Sequence, residues 1–148
     1  MNFLTNWLNQ LLAPQESKPA TVKSFDKIIV AKVVKVEKHP NADRLRIIEL
    51  TDGQNTYGPV VCGAWNFDVN AIVPLALPGA TIPHNQHDPE GKSFTLGTAK
   101  IRGVESQGMI CSGKELGLTD DGGGILILPD NSPLGSAFSS NLVKSGSN

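Results

Sequence analysis

The sequence predicts an all-β fold, and three features carry that prediction. From Lys27 a long run of β-branched residues (Ile28, Ile29, Val30, Val33, Val34, Val36) is broken only by alanine and lysines, a composition that suits a pleated sheet. Further strand-like stretches at 45–50 and 60–62 are set apart by turn formers. His39-Pro40-Asn41-Ala42-Asp43 combines a proline with Asx residues, and Asp52-Gly53 has the make-up of a hairpin turn. Finally, residues 100–112 read as a strand, a glycine-bounded turn and a second strand.

Taken in order, the chain opens with Phe3, Leu4, Trp7, Leu8, Leu11 and Leu12 on one stripe of a helix spanning residues 1–13, which Pro14 ends. Residues 14–26 are polar and read as a linker. The first strand follows from Lys27. In the second, Leu45, Ile47 and Glu49 alternate with Arg46, Ile48 and Leu50, and the third ends at Val60-Val61-Cys62. Residues 63–70 leave room for a short helix or an irregular crossover. Ala71–Leu77 is a fourth strand, and Pro74 within it predicts an edge position or a bulge. A long loop over 78–97 has Ile82 and Phe94 as inward anchors. Ile125–Leu128 is an extra C-terminal strand closed by Pro129, and residues 139–148 form a disordered tail rich in Ser, Asn and Gly.

The stretch Lys100-Ile101-Arg102-Gly103-Val104-Glu105-Ser106-Gln107-Gly108-Met109-Ile110-Cys111-Ser112 concentrates the polar chemistry. In extended chain Lys100 and Arg102 point to one side and Ile101 to the other. Gly103 and Gly108 bracket a turn whose backbone can approach a ligand closely. On these residues alone, an ordinary hairpin with solvated cations is an equal reading.

Composition narrows the function classes. With 39% hydrophobic and 18% charged residues, the chain can build a core. A net charge of −1 and a pI near 6.3 argue against strong non-specific nucleic-acid binding. Yet charge is uneven, with five lysines between Lys23 and Lys38 and an acidic excess after Lys114, so a basic face fits a neutral total. Cys62 and Cys111 lie far apart in apolar runs, where buried free thiols or a disulfide both fit; the free-thiol reading suits a reducing cytoplasm. Gly91-Lys92-Ser93 is not a phosphate loop, because the required earlier glycine is Gln86. His84, His87 and Asp88 lie close in sequence but lack a nameable supporting partner, and no metal or cofactor is expected. Nor is a nucleophile set beside a general base, so the chain is not read as an enzyme.

Residues 100–112 resemble the signature of a tRNA-binding domain family with an oligonucleotide-binding (OB) barrel. Three more stretches match in the same order: His39–Leu45, Val60–Asn66, and Lys114–Leu118 followed by 120–129. The last is most similar to the phenylalanyl-tRNA synthetase β-subunit branch, and the resemblance covers roughly residues 27–138. It implies a five-stranded OB barrel with an extra C-terminal strand, preceded by the short amphipathic helix. It also implies non-catalytic binding of structured RNA, chiefly tRNA, in the cytoplasm, as a free-standing module or a synthetase appendage. Any aminoacylation would belong to other polypeptide. A synthetase β subunit is several times longer and has a longer segment before the barrel than residues 14–26, which leaves either a fragment or a free-standing relative, the latter slightly favoured. The motif matches place Lys100, Arg102, Ser106, Gln107 and Met109 at the RNA, with His39, Asn41 and Arg44 from the first turn. His39 reads equally as a turn-capping residue. Trp65 and Phe67 fit either base stacking or the core. A competing reading is a protein-interaction module that docks on a synthetase or on itself.

The N-terminal stripe carries an expectation of its own. Six apolar side chains on an uncharged helix this short need packing to be stable. The helix can fold back on its own barrel, dock on another protein such as a synthetase, or pair with a second copy. Pairing, the favoured arrangement, would give a homodimer, and two barrels would add avidity for a large ligand. Deleting residues 1–14 is then expected to convert a dimer to a monomer in sedimentation. A monomer with and without the segment would refute the pairing.

Overall fold

A strand in which Ile28, Val30, Ala31 and Val33 are all fully buried is covered on both faces over that span, and this explains why the first apolar run shows no clean alternation there. That strand is β1 (Ser24–Lys38) of a computed structural model that describes residues 24–120 and 122–143. The helix expected over 1–13, most of the 14–26 linker and the end of the tail lie outside the described residues. The remaining strands are β2 (Arg46–Thr51), β3 (Thr56–Cys62), β4 (Ile72–Ala76), β5 (Thr81–Ile82), β6 (Phe94–Thr95), β7 (Ala99–Ile101), β8 (Val104–Ser106), β9 (Met109–Ile110) and β10 (Ala137–Ser139). A 3-10 turn follows at Ser140–Leu142, so ordered structure runs into the segment expected to be tail.

The main sheet is antiparallel in the order β3-β2-β1-β4-β9, with β10 also on β1. It has six strands where five were expected, and β5–β6 and β7–β8 form separate two-stranded ribbons. One edge of β1 carries β4 over Ile28–Lys32; the other carries β10 at the front and β2 from Lys32 onward. Register shifts between Val33 and Lys35 and between Ser24 and Ile29 let β1 bend between these neighbours.

Alternate residues of β1 and β4 feed two cores. Ala31, Val33, Val73 and Leu75 join Ile48, Leu50, Val60 and Ile110 inside the curl of the sheet. Ile28, Val30, Ile72 and Ala76 face an outer layer with Ile82, Leu116, Leu128 and Phe138, against which Phe94 packs. Both loop anchors therefore point inward, as expected. The sheet is closed by β8 against β3: Gln107 N–H donates to Pro59 O (2.8 Å), and Val61 N–H donates to Ser106 Oγ (2.9 Å). A sheet curled in this way fits an OB-like barrel.

Several local expectations need correction. Pro74 is neither at an edge nor in a bulge, since β4 lies between β1 and β9. It is tolerated because its partner Val30 directs its own bonds the other way, to Ser136 O and from Gly135 N–H. On the β9 side Cys111 donates to Pro74 O, while Cys111 O takes the Leu126 N–H that proline leaves room for. Residues 63–70 form an irregular crossover. Ile125–Leu128 is not a strand and contributes only an isolated bridge, Ile72 to Leu128. The backbone of Ile125 instead exchanges two hydrogen bonds with the Asn66 side chain, at 3.0 and 3.1 Å. The extra C-terminal strand is β10, fixed by Phe138 against Phe25 with ring centroids 5.4 Å apart.

Both cysteines are free and buried. Burial pushes both thiols up from their ordinary value, Cys111 furthest, with the Glu115 charge adding to it, so neither is primed as a nucleophile. At the β2–β3 turn, backbone N–H groups of Asn55 and Gln54 and the Tyr57 hydroxyl hold the Asp52 carboxyl well below the usual carboxylate range.

Gly108 is required for space. A Cβ there would sit 2.7 Å from Ala76 O, whereas one at Gly97 would meet nothing within 4 Å. Gly108→Ala is expected to destabilise by about 1–3 kcal/mol, the range for overpacking. Gly97→Ala should be neutral or stabilising by up to about 1 kcal/mol. Urea unfolding of both variants checks this; equal stabilities would contradict the packing at Gly108.

Candidate nucleic-acid interface

The turn after β1 is organised by one imidazole. His39 N–H donates to Leu45 O (3.1 Å), closing the loop, and Asn41 N–H donates to His39 Nδ1 (3.0 Å). With Nδ1 accepting, the other ring nitrogen carries the proton, and Nε2 lies 3.0 Å from Ile101 O. Asn41 Nδ2 donates to Arg102 O at 3.0 Å. The first turn thus grips the β7–β8 hairpin across more than sixty residues of sequence.

That hairpin is tighter than the sequence reading had it. Ile101 pairs with Val104, so only Arg102 and Gly103 form the turn, and Val104–Ser106 is strand. Both central residues have positive φ, 53° and 93°, the arrangement of a type I′ turn matched to strand twist. Arg102 therefore sits at the hairpin tip, and strand alternation does not align it with Lys100. A Cβ at Gly103 would approach Asn41 Nδ2 to 3.2 Å, so the glycine also admits the clamp.

The residues expected at a ligand divide by exposure. Lys100, Arg102, Asn41 and Arg44 are exposed. Lys100 lies opposite Glu105 in register, and Lys38 beside the turn pairs with Asp43 at 3.8 Å. Gln107 is partly buried, and so is Met109, which packs on the outer core. His39 and Ser106 are buried. Ser106 Oγ accepts from Val61 and donates to Gly108 O (2.9 Å), so its hydroxyl is spent within the fold. Four exposed polar side chains thus stand on a turn and a hairpin that the His39 and Asn41 hydrogen bonds hold together.

Sequence reasoning missed Arg46, although its alternation with buried Ile48 and Leu50 placed it on the inner face. It is 7% exposed, with Nη2 donating to Ala64 O (3.1 Å) and Phe67 O (2.9 Å). Its guanidinium carbon lies 4.6 Å from the ring centroids of both Trp65 and Phe67. Phe67 is core, as one reading had it, but Trp65 is 56% exposed. A separate cleft of about 360 Å³ is lined by His84, Asp88, Glu90, Lys114 and Asp120 among others. Among the described residues no three His, Cys, Asp or Glu side chains converge on a metal position there or elsewhere.

Comparison with known proteins bears on this surface. The family model described as "Putative tRNA binding domain" matches residues 28–137, a span that contains both clamped loops. The phenylalanine–tRNA ligase beta subunit of Dechloromonas aromatica is 37% identical over 93% of this chain and 18% of that protein. Those of Cupriavidus pinatubonensis and Chlamydia caviae are 48% and 50% identical over 75% and 76% of this chain, and 13% and 14% of theirs. The chain therefore spans less than a fifth of the length of these relatives. Among solved structures, a Naegleria gruberi RNA ligase aligns with 65% of this chain and 31% of its own at 15% identity, with a TM-score of 0.45.

The clamp has a measurable signature. Asn41→Ala removes one exposed hydrogen bond and is expected to cost about 0.5–1.5 kcal/mol. His39→Ala leaves buried backbone groups unpaired and should cost about 1–3 kcal/mol. In both, amide hydrogen exchange should accelerate over 100–105 before the main sheet is affected. Unchanged exchange in the hairpin would mean that the first turn does not hold it.

Proposed function

We propose, from the premise that this chain belongs to the tRNA-binding domain family, that it binds structured RNA, tRNA foremost, and performs no chemistry of its own. The observation that carries the reading is the exposed set Lys100, Arg102, Asn41 and Arg44 on loops joined by the His39 and Asn41 hydrogen bonds. Lys100, Arg102 and Arg44 neutralise phosphates and release counterions, which supplies most of the affinity. Asn41 and the partly buried Gln107 offer amide contacts to ribose hydroxyls, which suits recognition of RNA by shape. His39 and Ser106 act one step back, holding the turn and the hairpin in place, and Met109 packs on the outer core. Glu105 and Asp43 lie among these cations, so the local field is modest, in keeping with a net charge of −1.

In this reading the barrel is an OB fold whose first inter-strand loop is a binding loop, as in other OB domains. Buried free thiols suit a reducing cytoplasm. A second copy joined through residues 1–13 would double the RNA-binding surface, and any aminoacylation belongs to other polypeptide.

Lys100→Glu combined with Arg102→Glu is expected to weaken tRNA binding strongly while leaving the unfolding midpoint near wild type. The slope of log K against log salt should shrink by roughly one to two units as those phosphate contacts are lost. Filter binding over a salt series reads both quantities. Unchanged affinity and slope would move the RNA off this hairpin and favour a protein-docking role.

A further inference from the structure

Trp65 is a large aromatic side chain left more than half in water and yet firmly held. Its indole Nε1–H donates to Arg44 O at 3.0 Å, which uses the ring's single donor. On one side of the ring lies the Arg46 guanidinium, 4.6 Å from the centroid. Arg46 cannot drift, because two backbone carbonyls fix its Nη2 and Phe67 lies 4.6 Å from its guanidinium carbon. With its N–H donor satisfied and a cation over one face, the ring keeps its other face as a π surface to offer. The turn that supplies Arg44 O also supplies His39 and Asn41 to the hairpin, so one loop links Trp65 to Arg102.

We infer that the exposed face of Trp65 is a stacking platform for one unpaired nucleobase of an RNA strand, with exposed Arg44 placed to meet an adjacent phosphate. This rests on the RNA-binding reading and deepens it by naming a subsite and the chemical group that fills it. An immobilised ring has little conformational freedom to lose on binding, and stacking on it tolerates any base because every base has a π face. One guanidinium, that of Arg46, lies over the ring, and the adjoining turn carries the exposed Arg44, which suits an anionic strand better than an apolar protein surface.

The chain holds two tryptophans, so Trp7→Phe makes Trp65 the only reporter. In that background a short unstructured polypyrimidine RNA at low salt should quench the fluorescence saturably, and an abasic strand of equal length should not. Trp65→Leu keeps apolar cover on Arg46 but removes the π face; it should weaken binding of the polypyrimidine strand roughly five- to hundred-fold, while Trp65→Tyr stays near wild type. Circular dichroism and the melting temperature verify that each variant is folded. Equal quenching by the abasic strand, or equal affinities for the Leu and Tyr variants, would overturn the platform. If tRNA binding falls with the Lys100 and Arg102 substitutions but ignores Trp65→Leu, RNA binding stands and the ring is left to a protein partner. If neither tRNA nor the polypyrimidine strand binds the wild type, both readings fall.

Discussion

The candidate surface depends on how the sheet closes, and closure depends on the Ser106 hydroxyl. Strands β3 and β8 meet without a regular ladder between them, so one side chain has to satisfy main-chain groups from both sides. Ser106 Oγ takes the Val61 N–H and gives its own proton to Gly108 O, with Gln107 N–H to Pro59 O alongside. Each of these groups lies where an unmade hydrogen bond would cost about 1–3 kcal/mol. Gly108 belongs to the same device, since its missing Cβ is what lets the Ala76 carbonyl approach.

Closure also fixes where the β7–β8 hairpin emerges, and from there the first turn completes the arrangement. His39 and Asn41 reach the carbonyls of Ile101 and Arg102, so hairpin tip and turn move together. Arg44 extends the linkage to Trp65, and Arg46 anchors Trp65 to the crossover through Ala64 and Phe67. The polar side chains in this region therefore fall into two layers. Buried His39, Ser106 and Arg46 hold backbone, and exposed Lys100, Arg102, Asn41 and Arg44 face solvent. For a ligand with a fixed three-dimensional shape, a surface already ordered before binding loses less entropy when it binds.

Much of the fold was legible because strand signals are local. The β-branched run of β1, the alternation of β2 and the Asp52 turn each follow from a few adjacent residues. What was not legible depends on partners distant in sequence. Ile125–Leu128 has a strand's composition, yet its backbone is engaged by Asn66, 59 residues away. Phe138 lies in a stretch without strand alternation and is ordered by Phe25. The same holds at the candidate site. Motif spacing singled out Ser106 and His39 as polar residues, but whether a hydroxyl or an imidazole faces a ligand or the protein's own backbone is decided only when the sheet curls. Arg46 illustrates the converse, a charge whose place in the strand alternation already required an internal partner.

On the proposed reading, the turn at 39–45 and the hairpin at 100–105 form one preorganised RNA-facing surface. Backbone amide chemical shifts of the uniformly labelled chain, followed during titration with tRNA, test it most directly. Amides of Asn41–Arg44 and Lys100–Glu105 are expected to shift together with one apparent affinity, while those around the cleft of His84–Gly91 and Lys114–Asp120 stay in place. Shifts confined to that cleft, or a hairpin that responds without the turn, would contradict it.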